Sequence, residues 1–208
     1  GAELAKESNV KSDLIIPVPD SGMPAAIGYA EKIGKSIELG IIRNHYVGRT
    51  FIEPTQQIRS LGVKLKHSIN KTLVRNKSII LIDDSLVRGT TSVKIIKMLY
   101  ECGAKEVHLR IASPPIKYPD YYGVDTPNKK ELLAFKYDLE GMRKFINATS
   151  LAFLTIEGLY KSMGFDKRNS SYPQFTDHCF TGEYPIDPID ANNKNLEESK
   201  ISFMSSKN

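Results

Sequence analysis

The run Ser-Ile-Ile-Leu-Ile at 78–82 passes directly into Asp83-Asp84, a short polar loop and then the helical stretch SVKIIKMLYECG. So apolar a run reads as a strand covered on both faces. In the helix that follows, Val93, Ile96, Leu99 and Tyr100 share one face, and Gly103 stands where a helix stops. A strand of this kind admits few architectures, because each of its faces needs a layer of helices.

The same unit recurs along the chain. LIIPVP (14–19) reads as a buried strand, DSGMP (20–24) as a turn, and AAIGYAEKIG (25–34) as a helix closing on a glycine. ELGIIR (38–43), VHLRIA (107–112) and LAFLTI (151–156) read as further strands, with SPP (113–115) as a stiff turn. Helices are predicted at Glu131–Phe135 and Leu139–Ile146, and Ala2–Glu7 reads as the end of a helix whose start lies upstream. The alternation predicts an α/β fold with a central, mainly parallel sheet flanked by helices. Residues 1–185 are expected to form one domain. The Asn-, Lys-, Ser- and Glu-rich stretch 186–208, poor in large apolar residues, is expected to be a disordered tail.

Composition narrows the class. With 208 residues, 40% hydrophobic and 25% charged, the chain can bury an ordinary core. Nothing approaches the run of about 18 apolar residues that a membrane helix needs, and the opening GAELAKESNVKSD is not a signal peptide. No membrane partner is therefore expected. The cysteines, Cys102 and Cys179, lie far apart with no CxxC pair, which predicts a reducing, cytoplasmic setting. The net charge of +5 favours anionic partners. The basic residues are spread, with a local excess between Arg43 and Lys77 and no basic stripe interleaved with aromatics. A phosphate-bearing small molecule is expected rather than nucleic acid.

Two loops follow apolar strands and precede helices: Asp20-Ser21-Gly22, and Asp83 through Thr91. In parallel α/β sheets such loops gather at the carboxyl edge, where ligands bind. Ser85, Gly89, Thr90 and Thr91 supply hydroxyls and a close-approaching backbone ahead of a helix whose first N–H groups lack partners, which is the chemistry of a phosphate cradle. Neither GxxxxGK[ST] nor GxGxxG occurs, so this is no Walker loop or dinucleotide fingerprint. Thr90 or Thr91 as a helix N-cap is expected whatever the function. A lone Asp-Asp pair after a strand is often only a solvated strand end, but the unbroken order of strand, Asp83-Asp84-Ser85, Arg88-Gly89-Thr90-Thr91 and amphipathic helix favours a functional loop. From Asn44 to about His67 no period is visible, and a loop of roughly 20 residues in a compact domain is functional or disordered.

The stretch IILIDDSLVRGTT resembles the phosphoribosyl-pyrophosphate signature of the type I phosphoribosyltransferases. More narrowly, the chain resembles the C-terminal half of the glutamine amidophosphoribosyltransferase family through IPVPDSGMPAAIGYA, IIRNHYVGRTFIEPTQQIR, RIASPPIKYPDYYGVDTP and CFTGEYP. The resemblance implies the type I phosphoribosyltransferase fold. It implies formation of phosphoribosylamine and pyrophosphate from phosphoribosyl pyrophosphate and ammonia, the first step of purine synthesis.

By that resemblance Asp83 and Asp84 would hold the ribose hydroxyls and favour a cationic transition state. Ser85, Val87, Arg88, Gly89, Thr90 and Thr91 would form the loop that receives the 5-phosphate. Asp20, Ser21 and Gly22 would match the pyrophosphate loop, and Arg43, Arg49 and Lys66 basic positions of the site. Mg²⁺ would be held through Ser21, Asp83 and Asp84, an oxygen-only donor set. Asn44–His67 would match a loop that closes over substrate, its GRTFIEP stretch walling an ammonia channel. Relatives that attach hypoxanthine or guanine carry an acidic residue where this chain has Val87, so the amine-forming branch is favoured over base salvage. A non-catalytic nucleotide-binding relic of a split gene is the other alternative.

The resemblance further implies a homo-oligomer and purine nucleotides as inhibitors. The chain opens with Gly1 instead of a cysteine nucleophile, so no glutaminase half is expected and ammonia would come free or from a separate glutaminase chain. Asp120 and Thr176 stand where cluster-bearing relatives have cysteines, so no iron–sulfur cluster is expected with Cys179 alone. His45, His67, His108 and His178 lack ligand spacing, which also predicts no zinc.

Overall fold

A computed structural model describes residues 1–44, 67–124, 126 and 128–186. Helix α1 (Ala2–Ser8) leads into strand β1 (Leu14–Pro17) and helix α2 (Met23–Lys32). Strands β2 (Ile41–Arg43) and β3 (His67–Ile69), the short helix α3 (Lys71–Val74), strand β4 (Ser78–Asp83) and helix α4 (Thr90–Glu101) follow. The chain continues through β5 (Glu106–Ile111), a 3₁₀ turn at Lys129–Glu131, α5 (Leu133–Lys136), α6 (Leu139–Ile146), β6 (Ser150–Phe153), α7 (Ile156–Ser162) and α8 (His178–Thr181).

β1, β4, β5 and β6 form a sheet in that order, and every neighbouring pair is parallel. All residues of β4 are buried. Successive side chains point to opposite faces. Ile79 and Leu81 therefore join Ile95, Ile96 and Leu99 of α4 and Met142 and Ile146 of α6. Ile80 and Ile82 join Leu4 and Ala5 of α1 and Ala26, Tyr29 and Ala30 of α2. Each fully buried isoleucine contributes about 1.5–3 kcal/mol. A strand with two dry faces is thus the anchor of the fold, as the sequence predicts.

α1 is tied into this core at its C-terminal end. Glu7 accepts hydrogen bonds from Thr155 N (2.8 Å) and Thr155 Oγ1 (2.6 Å). The Ser8 carbonyl receives Tyr29 Oη at 3.2 Å and Arg110 Nε at 2.7 Å. The buried guanidinium thereby sits at the helix C-terminus, where a cation is favoured.

Several boundaries differ from the sequence reading. The strand expected over 151–156 ends at Phe153, because Thr155 Oγ1 accepts Gly158 N at 2.9 Å and starts α7 instead. The N-cap of α4 is neither Thr90 nor Thr91 but Gly89, at φ 75°, with no side-chain cap. His67 does not end a loop: it opens β3, which pairs antiparallel with β2 through Arg43↔His67. The short α3, capped by Asn70, and α8 had no clear period to announce them. Arg49, Lys66 and nearly all of the expected substrate-closing loop lie outside the described residues, as does the expected tail beyond Ile186. No described helix is long and apolar enough to cross a membrane.

Candidate active site

The register of β1 on β4 sets the geometry. Pro17 lies opposite Ile82, and Val18 N donates to Ile82 O at 2.8 Å, so both strands release their loops at the same edge. The first loop folds tightly under that edge. A Cβ on Gly22 would stand 2.2 Å from Ile82 O and 3.0 Å from Val18 N and O, so only glycine fits there. The turn carries Ser21 to the second loop, where its Oγ donates to Asp83 Oδ1 at 3.2 Å.

The adjacent carboxylates occupy different environments. Asp83 is buried at 7% exposure, while Asp84 is exposed. Asp83 Oδ1 also accepts Asp84 N at 2.9 Å, and Asp84 Oδ1 accepts Ser85 N at 2.8 Å. Burial first, and then the neighbouring Asp84 charge, push Asp83 up to about 7 from 3.8; the bonds from Asp84 N and Ser21 only partly oppose this. Among the described residues, no positive charge offsets the two carboxylates where they meet. A hard cation fits it, since Ser21, Asp83 and Asp84 offer hydroxyl and carboxylate oxygens only.

The loop from Ser85 to Thr91 wraps the N-terminus of α4. Gly89 adopts the left-handed conformation, and a side chain there would also strike Leu133 Cδ2 at 2.9 Å. Because Gly89 has no capping side chain, the first amides of α4 remain available to an anion. Thr90 and Thr91 are exposed at the mouth of a cleft of about 360 Å³. Val18, Pro19, Ser21, Arg43, His67 and residues 83–92 line it.

Basic residues approach from two sides. Arg43, at the end of β2, pairs its Nη1 with Asp20 Oδ2 at 2.6 Å, and its buried Nε has no hydrogen-bond partner among the described residues. Arg88 turns outward, where its Nε meets Glu131 Oε2 at 2.8 Å.

The structure thus brings Ser21, Arg43, Asp83, Asp84, Ser85, Val87, Arg88, Gly89, Thr90 and Thr91 together around one cleft. Asp20 and Gly22 do not line it: Asp20 holds Arg43, and Gly22 packs beneath the turn. Sequence reasoning missed His67 as a wall residue, and Glu131 as the partner of Arg88. No local pattern announces either, because Glu131 is 43 positions from Arg88 and meets it only through the fold. Leu133 N donates to Val87 O at 2.8 Å and fixes the same loop from that side.

Neither thiol is set up as a nucleophile. Cys102 caps the end of α4. Burial and then the Asp120 carboxylate push the Cys179 thiol up to about 11, so it stays protonated at neutral pH.

The family model of the phosphoribosyl transferase domain matches residues 2–122. Amidophosphoribosyltransferase of Rhizobium etli is 58% identical over 207 residues, covering 99% of this chain and 42% of that protein. A chloroplastic amidophosphoribosyltransferase of Arabidopsis thaliana is 52% identical over 190 residues, covering 91% of this chain and 33% of that protein. Among solved structures, the glutamine phosphoribosylpyrophosphate amidotransferase of B. subtilis complexed with ADP and GMP superposes with a TM-score of 0.78 at 49% identity. That likeness covers 88% of this chain and 40% of the other. The chain spans less than half the length of these relatives.

Proposed function

From a chain that belongs to the phosphoribosyl transferase domain family, we propose an enzyme that transfers the phosphoribosyl group of phosphoribosyl pyrophosphate to ammonia. The observation that carries the reading is the meeting of Ser21, Asp83 and Asp84 with the uncapped start of α4 in one cleft. One end of that cleft suits a diol and a cation, the other a phosphate.

In the proposed reaction the 5-phosphate rests on the amides and hydroxyls of Ser85–Thr91. Asp83 and Asp84 accept the ribose hydroxyls and lie where positive charge develops on the sugar as its C1–O bond to pyrophosphate breaks. The ammonia lone pair forms the new C1–N bond, pyrophosphate departs with the bonding electrons, and the surplus proton passes to water. Arg43, whose buried Nε has no hydrogen-bond partner among the described residues, is suited to the leaving pyrophosphate. Ser21, Asp83 and Asp84 would hold Mg²⁺, which supplies charge neutralisation for the diphosphate when bound. Val87 is half-buried and has no group that could carry a proton to or from a purine, which supports an amine acceptor over a base.

Ammonia would come free or from a separate glutaminase chain; the Cys179 thiol, pushed up by burial, is not poised to attack glutamine. The B. subtilis relative carries ADP and GMP, which supports purine nucleotides as inhibitors of the proposed activity. The test is turnover of the purified chain with phosphoribosyl pyrophosphate, Mg²⁺ and ammonium at alkaline pH. Pyrophosphate should be released in proportion to free ammonia, and not with glutamine alone. Release with hypoxanthine or guanine in place of ammonia would overturn the reading.

A further inference from the structure

A second group of donors lies away from the cleft. Asp120, in the connection after β5, and His178 and Cys179, at the start of α8, bring a carboxylate oxygen, an imidazole nitrogen and a sulfur within 4.8 Å of one another. Asp120 Oδ2 is 2.8 Å from His178 Nε2 and 3.9 Å from Cys179 Sγ. Around a tetrahedral zinc ion, bonds of about 2.0–2.3 Å place neighbouring donors about 3.2–3.6 Å apart, so small side-chain movements suffice.

The surroundings are built and not incidental. His178 is 3% exposed, and its Nδ1 is buried with no hydrogen-bond partner among the described residues. Tyr122 and Tyr184 wall the imidazole, with ring centroids at 5.1 Å and 5.0 Å. Asp120 is oriented by Tyr122 N at 2.7 Å and Val124 N at 3.1 Å, both donating to Oδ1. This leaves Oδ2 for the other two donors. The Cys179 carbonyl accepts Lys117 N and Tyr118 N at 2.9 Å and 3.1 Å, which fixes the backbone that carries the thiol. Outer contacts of this kind set the direction of ligand atoms in metal sites.

We propose that Asp120, His178 and Cys179 bind a zinc ion that fastens α8 to the connection after β5. The mixed oxygen, nitrogen and sulfur set suits a borderline cation and not Mg²⁺, whose place is the oxygen-only site at Asp83. Binding displaces the thiol proton, and three protein ligands leave a fourth position for water. This departs from the expectation of no zinc. Spacing along the sequence cannot reveal a ligand set whose members stand 58 positions apart.

The test uses the full chain, stripped with a chelator and titrated with Co²⁺ and with Zn²⁺ against a chromophoric competitor. Co²⁺ should produce a near-ultraviolet sulfur-to-metal absorption, which the oxygen donors at Asp83 cannot give. Zn²⁺ should abolish that absorption by displacement, at one equivalent. Cys179→Ser should remove the band, Asp120→Asn should weaken Zn²⁺ binding by about tenfold or more, and Cys102→Ser should change neither. A Co²⁺-loaded native chain with no sulfur band would overturn the proposal even if the variants fold poorly. A band lost in Cys102→Ser but kept in Cys179→Ser would do the same.

Discussion

Ser21 Oγ donates to Asp83 Oδ1 at 3.2 Å and so links loops 62 positions apart. The bond lies at the carboxyl edge of β1 and β4, and it makes the two loops one site. Removing it by Ser21→Ala takes away a donor to a buried carboxylate and a candidate cation ligand. The Mg²⁺ concentration needed for half-maximal turnover should rise about tenfold, with thermal stability little changed. A titration of rate against Mg²⁺ checks this, and an unchanged midpoint would remove Ser21 from the cation site.

Asp83→Asn with Asp84→Asn keeps the shape of the loop but removes both charges from the place proposed for the ribose. Ammonia-dependent turnover should fall by at least 100-fold. Each tenfold loss corresponds to about 1.4 kcal/mol of transition-state stabilisation. Initial rates at saturating substrate, with circular dichroism to verify folding, measure it. Full activity in the double variant would remove the proposed role of the pair.

The Asp83 carboxyl titrates near 7 in the folded chain, above its ordinary 3.8. Between those values the folded state holds a proton that the unfolded state has released. Stability therefore falls as pH rises from about 4 to about 7 and levels off above. Without divalent cations, Asp83→Asn should be more stable than the native chain at pH 8, by about 2–4 kcal/mol, and the gap should close toward pH 4. Urea unfolding at both pH values tests the sign. Added Mg²⁺ should narrow the gap at pH 8 by stabilising the native chain alone.

Asp177 is 4% exposed and accepts Arg168 Nε at 2.5 Å and Tyr160 Oη at 2.8 Å. Burial raises its pKa, but these bonds outweigh burial and hold it below the usual carboxylate value. Arg168→Met leaves a buried carboxylate without its ion-pair partner, which should cost about 3 kcal/mol. In that variant the folded pKa of Asp177 rises above the unfolded one, so the cost should shrink as pH falls from 7 to 4. Thermal melts across that range would show it. A cost independent of pH would mean that packing, not charge, is what the arginine supplies.

Some of this was legible in the chain alone. The Ile79–Ile82 run specified a strand with two covered faces, and Asp138, whose Oδ1 accepts Gly141 N at 2.7 Å, starts α6 at the expected Leu139. The Ser85–Thr91 loop was legible as a hydroxyl-rich turn running into a helix, because glycine conformation and helix-end chemistry act over a few residues. Sequence alone thus determined the layers of the fold and the oxygen-rich composition of the two loops at its edge. Only the tertiary structure decided that Asp83 is buried while Asp84 is exposed, that Arg88 faces Glu131, and that Asp120 meets His178. Periodicity records which side of an element is dry. It does not record which distant loop arrives beside it, because that depends on strand register and on how connections of many residues close over the sheet.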